Sequence, residues 1–92
     1  MHRVTIRAPA GYGERVRAAL ESLPGTVTAR AAALGTSRVS AHRWIAGDGG
    51  PADPGPLAEL AGVPEALLVY GPTHQLRVEL ARAALRRVEG EA

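Results

Sequence analysis

The sequence predicts a small, mainly α-helical bundle of about five short helices, with a short N-terminal β-strand or arm and an extra C-terminal helix. Three observations predict it. The chain has 92 residues, room for one core and not two. Its residues are 46% hydrophobic but only 3% aromatic, namely Tyr12, Trp44 and Tyr70, so the core is built of Leu, Val and Ala, which favours closely packed helices over a sheet sandwich. Apolar residues recur at helical spacing between glycine and proline stops. The expected organisation is an N-terminal strand or arm at 1–10, a central helical domain at 11–71 and a C-terminal helix at 72–92.

Residues 1–7 alternate, with Val4 and Ile6 on one side and Arg3, Thr5 and Arg7 on the other, the two-residue period of a strand. A lone strand leaves its backbone unpaired, so it either pairs with its copy in a second subunit or remains a loose arm. From Tyr12 the period changes. Tyr12, Val16, Ala19, Leu20 and Leu23 form the stripe of an amphipathic helix, with Glu14, Arg15 and Arg17 expected outside it. Pro24 and Gly25 stop it. Thr26 stands as N-cap of a second helix over 27–34, and Gly35 ends that helix because the residue past its end needs a positive φ. Ser37 is a second N-cap, opening a helix over 37–46 that is stopped by Gly47, with Ala41, Trp44 and Ile45 inward. A proline-rich loop over 48–56 follows. A fourth helix places Leu57, Leu60 and Ala61 inward before Gly62, and a fifth, over 64–70, places Leu67 and Leu68 inward. Thr73 caps a last helix running to about residue 88. Its stripe is Leu76, Leu80, Ala84 and Val88, flanked by Ala81 and Leu85, with surface pairs expected between Glu79 and Arg82 or Arg86 and between Arg86 and Glu89.

The net charge of +2 is unevenly distributed. All eleven basic residues are arginine, a bias that is mostly compositional. Residues 24–47 carry Arg30, Arg38 and Arg43 and no acid, whereas 48–70 carry Asp48, Asp53, Glu59 and Glu65 and no base. A polyanion is therefore expected at the middle segment, with the acids facing away from it or flanking it. Without cysteine there is no disulfide, thiolate nucleophile or cysteine-based zinc site. The start lacks an apolar h-region and no apolar run is long enough to span a bilayer, so the expected location is cytoplasmic, with no membrane partner.

No enzyme is expected. His2, His42 and His74 lie far apart with no metal-ligand spacing, and no nucleophile elbow or phosphate loop occurs, so catalytic, metal and cofactor sites are all expected to be absent. Gly11-Tyr12-Gly13 is read as a helix start.

Two short helices joined by a tight glycine turn, with the small Ala31 where the second crosses the first, make a helix-turn-helix. The stretch TARAAALGTSRVSAHRWIAG, Thr28 to Gly47, resembles the helix-turn-helix of the Cro and C-repressor (XRE-like) family. Ala31, Gly35, Ser37, Arg43, Trp44 and Gly47 fall in register with the family's pattern, and Leu57-Ala58-Glu59-Leu60-Ala61-Gly62-Val63 is similar to its fourth helix and turn. The resemblance covers about residues 12 to 70 and implies a lambda-repressor-like bundle. Thr36, Ala41 and Val27 depart from the family's usual residues, and the loop after Gly47 is acidic where many relatives are basic.

The resemblance implies a sequence-specific regulator of transcription, a repressor in preference to an activator, that inserts the helix over 37–46 into the major groove. Arg38, Val39, His42 and Arg43 would read bases. Thr26, Thr28, Ser37, Ser40 and Arg30 would meet phosphates. Ala31, Gly35, Ala41, Trp44 and Ile45 would form the turn and core of the motif. The expected partner is double-stranded DNA with a near-palindromic operator. A homodimer or higher homo-oligomer is expected through Val4, Ile6, Leu76, Leu80, Ala84, Leu85 and Val88. Two alternatives stand beside it: an antitoxin-type autoregulator that also binds a protein through the C-terminal helix, and an excisionase or MerR-like winged helix, which would need a strand after the turn.

Overall fold

The computed structural model describes residues 8–91, which form six helices and no strand. They are α1 (Tyr12–Ser22), α2 (Val27–Leu34), α3 (Arg38–Ile45), α4 (Gly55–Ala61), α5 (Glu65–Tyr70) and α6 (Thr73–Glu91). The strand or arm expected around Val4 and Ile6 lies outside the described residues. Residues 55–70 are two helices, not the strand of a wing. No helix is long and apolar enough to cross a membrane, and no metal-binding cluster occurs among the described residues.

The centre of the bundle is α1, against which α3, α4, α5 and α6 all pack. Tyr12, Val16, Ala19, Leu20 and Leu23 are buried as its stripe predicts, and they meet Leu57, Ala61, Leu68, Leu76 and Leu80 in one cluster. Fully burying a leucine is worth about 1.5–3 kcal/mol, so Leu20, Leu57, Leu68 and Leu76 supply much of the drive for association. By contrast α2 fully buries only Ala31 and packs chiefly on α3. Its placement depends more on its caps than on its core contacts.

Those caps follow the sequence. The Thr26 hydroxyl accepts from the Ala29 amide at 3.1 Å, and the Ser37 hydroxyl accepts from the Ser40 amide at 3.1 Å. Gly35, at φ 66°, closes α2 with a Schellman pair: its own amide donates to the Ala32 carbonyl and the Thr36 amide to the Ala31 carbonyl. Gly47, at φ 87°, closes α3 in the same way, its amide on the Trp44 carbonyl and the Asp48 amide on the Arg43 carbonyl. The loop after α3 then lies directly on α1. A Cβ on Gly50 would stand 2.6 Å from Val16 Cγ2, and the Tyr12 hydroxyl donates to the Pro51 carbonyl at 2.8 Å.

Three inward assignments change. Arg15 is 3% exposed, not outside the stripe. Its guanidinium donates through Nε to the Leu68 carbonyl at 2.9 Å and through Nη2 to the Ala10 carbonyl at 2.9 Å. Further bonds run to the Val69 carbonyl and to Thr73 Oγ1. The last carbonyls of α5 have no partner within their own helix and carry the negative end of its dipole, so a forked cation satisfies them without a carboxylate. Second, Leu60 is 38% exposed, and Ala58 takes the inward position on α4 because the short helix turns its 57–58–61 edge to α1.

The third change concerns α6. Leu76 and Leu80 are buried in the chain's own core with Ala83, so they do not offer the exposed surface expected of them. Ala84 is half-buried, while Val78, Ala81, Leu85 and Val88 lie exposed on the opposite side. The helix rotates this way because Gly62 admits Ala83 closely and Arg87 donates to the Ser22 and Ala61 carbonyls at 3.3 and 3.4 Å. The expected Glu79–Arg82 pair is present at 2.9 Å, but Arg86 reaches the Gly62 carbonyl instead of an acid.

Arg15→Met keeps the aliphatic stem and removes the donors. At about 1–3 kcal/mol for each buried acceptor left unsatisfied, the expected loss is about 3 kcal/mol or more. That corresponds to a fall in Tm on the order of 12 °C or beyond for a domain of this size. Arg17→Met, at an exposed pair with Glu21, should stay within about 0.5 kcal/mol. Thermal melts of both variants check this, and equal melting temperatures would contradict the role of Arg15.

Burial, and then the charges of Asp53 and Glu65, hold the Tyr12 phenol above its ordinary 10.0. Because the folded value lies above the unfolded one, the linked stability is complete below pH 10 and is lost as pH rises through the folded value. Urea titrations across the alkaline range should show this decline. Tyr12→Phe should remove most of it while costing about 1 kcal/mol at neutral pH for the missing donor.

Candidate nucleic-acid interface

The caps that close α2 and α3 also determine which of their side chains reach solvent. With Ser37 at its start and Gly47 at its end, α3 turns Ala41 fully inward and packs Trp44 and Ile45 against the core as half-buried side chains. Val39, His42 and Arg43, one or two positions from Ala41, then turn outward, and Arg38 is exposed at the start of the helix. Arg38, Val39, His42 and Arg43 are all exposed, Val39 at 72%. Ala31 and Ala41 are buried, Gly35 closes α2 at φ 66°, and Trp44 and Ile45 are only partly covered.

Thr26 and Thr28 are exposed at the start of α2, and neither α2 nor α3 carries an acid in its first turn. The amides of Val27 and Thr28, and of Arg38 and Val39, come too early in their helices to have an intrahelical acceptor. Each helix therefore presents the positive end of its dipole with no carboxylate to neutralise it.

The polar residues divide by what their hydroxyls already do. Thr26 accepts from an amide and keeps its proton for an outward acceptor. Ser37 accepts from the Ser40 amide and donates to Ser40 Oγ at 3.1 Å, so its proton is engaged within the chain. Ser40 keeps its own hydroxyl proton for an outward acceptor. Arg30 is half-buried and its Nε, shielded from solvent, has no acceptor among the described residues.

Of the acids beyond residue 47, Asp53 caps the turn into α4 by accepting from the Gly55 amide at 3.0 Å. Glu59 and Glu65 are exposed on α4 and α5. Asp48 is different. Its Oδ2 lies 3.5 Å from Arg43 Nε, so one acid does touch the basic face that sequence reasoning left free of them. Two residues escaped that reasoning, Arg15 and Asp48. A helical wheel carries a signal for Arg15, which stands 40° from Ala19 at the edge of the stripe at about 100° per residue. Asp48 was foreseeable from its place directly after the glycine that ends α3, where the cap brings it back towards Arg43.

Comparison with protein-family profiles, with characterised proteins and with solved structures gave no match.

Proposed function

We propose that the protein is a sequence-specific double-stranded DNA-binding regulator of transcription, a repressor in preference to an activator, with α2 and α3 acting as a helix-turn-helix in a lambda-repressor-like bundle. The observation that carries the reading is the exposed, basic outer face of α3, held between two acid-free helix starts. A protein surface selected only for solubility needs no such segregation of charge. On this reading α3 enters the major groove. Arg38 and Arg43 grip guanine O6 and N7, Val39 covers a thymine methyl and His42 bonds a base edge. Thr26, Thr28, Ser40 and the guanidinium end of Arg30 contact phosphates.

The operator is near-palindromic because the protein acts as a dimer. Val78, Ala81, Leu85 and Val88 follow one another at spacings of three, four and three residues, the seam of a coiled coil, and all four are exposed. An antiparallel two-fold pairing of α6 with a second copy sets Val78 against Val88 and Ala81 against Leu85, a small side chain beneath a large one. One helix per protomer gives an interface at or below the small end of the stable range, about 1,200 Å² in total. Association is therefore weak in free solution and is completed by DNA, which holds the two copies of α3 about 34 Å apart.

Selection of bound duplexes from random DNA should yield a near-palindrome. On it, Arg38→Ala and Arg43→Ala should each cost about 1–3 kcal/mol, with a smaller loss on random duplex. Equal losses on both would reassign the two arginines to phosphates, and no loss at low salt would end the DNA reading.

Leu85→Glu should abolish self-association in sedimentation runs and weaken the palindrome far more than an isolated half-site. A variant that still self-associates would place the dimer elsewhere, and capture of a different protein on the α6 face would favour the antitoxin-type alternative.

A further inference from the structure

An aspartate directly after the end of α3 is unfavourable on two counts. The negative end of the helix dipole repels it, and on the reading above it would face DNA phosphates. Its location is nonetheless built. The Asp48 amide donates to the Arg43 carbonyl at 2.9 Å, the outer bond of the Schellman pair around Gly47, so the cap itself returns Asp48 to Arg43. The loop that carries it is pressed onto α1, where a Cβ on Gly13 would stand 2.7 Å from the Gly47 carbonyl oxygen.

The contact made there is specific in its edge. Oδ2 approaches Nε of Arg43 at 3.5 Å, an ion-pair distance, and no hydrogen bond among the described residues uses Nη1 or Nη2 of the terminal fork. With side chains 60% and 74% exposed, the pair contributes little to stability. Its consequence lies in what Arg43 can bind. An arginine approached at Nε by a carboxylate keeps the two-donor end that matches guanine, and the same carboxylate opposes a phosphate approaching from that side.

We propose that Asp48 is a specificity determinant of the DNA face, a positioning residue that directs Arg43 towards base edges and away from the phosphate backbone. This rests on the DNA-binding reading and adds to it a device for discriminating operator from random duplex.

The test measures wild type and Asp48→Asn on the selected operator and on random duplex of equal length, across a salt series. Asparagine retains the backbone cap, and an unchanged thermal melt confirms it. The expected result is tighter binding of random duplex, by about threefold per protomer, with a salt slope steeper by about one unit per protomer. The operator should gain less, so the ratio between the two falls. In an Arg43→Ala background, Asp48→Asn should no longer change that ratio. Equal gains on both duplexes, an unchanged slope, or an effect that persists without Arg43 would overturn the inference while leaving DNA binding intact. Failure of the wild type to bind any duplex would overturn both.

Discussion

Much of this bundle depends on the Arg15 guanidinium and the carbonyls it serves. Helix α5 has only six residues, and its last carbonyls would otherwise face the side of α1 with no donor. One planar fork from the first turn of α1 satisfies Leu68 and Val69, fastens the chain leading into α1 at Ala10, and touches Thr73 where α6 begins. Those four attachments set the relative positions of α1, α5 and α6. Arg87 repeats the solution at the other end of α6, on carbonyls at the ends of α1 and α4. A core of small aliphatic side chains leaves short helices with exposed ends, and long arginine stems reach those ends where leucine cannot.

This use of arginine separates the structural cations from those available to a ligand. Arg15, Arg86 and Arg87 donate to backbone carbonyls, and Arg17, Arg77 and Arg82 sit beside glutamates. Arg30 and Arg38 lie in the acid-free stretch, and Arg43 meets a single aspartate placed by its own helix cap. The bias towards arginine says little by itself. Its partition among carbonyls, acids and solvent is what gives the outer face of α3 a distinct chemistry.

Helix α6 shows where sequence periodicity reaches its limit. Leu76, Leu80, Ala84 and Val88 recur at four-residue steps and look like one stripe, but a 3.6-residue turn carries such a run gradually around the helix. The first two members therefore enter the chain's own core, while Val88 joins Val78, Ala81 and Leu85 on the opposite side. A helix with two apolar faces reads from its sequence as one broad face. Only the position of α1 and of the Gly62 contact decides which leucines are inside.

The sequence alone carried the helix count, the caps at Thr26 and Ser37, the turns at Gly35 and Gly47, and the outward set Arg38, Val39, His42 and Arg43. These features depend on neighbours within a turn or two of the chain, and hydroxyl caps, positive φ and helical spacing are local properties. Tertiary structure alone decided that Arg15 is buried, that Leu76 and Leu80 belong to the protomer, that Ser37 has no free proton, and that Asp48 rests on Arg43. The first two depend on helices far apart in sequence. For the hydroxyls and the aspartate, local spacing supplied candidates, and only atomic positions show which donor meets which acceptor.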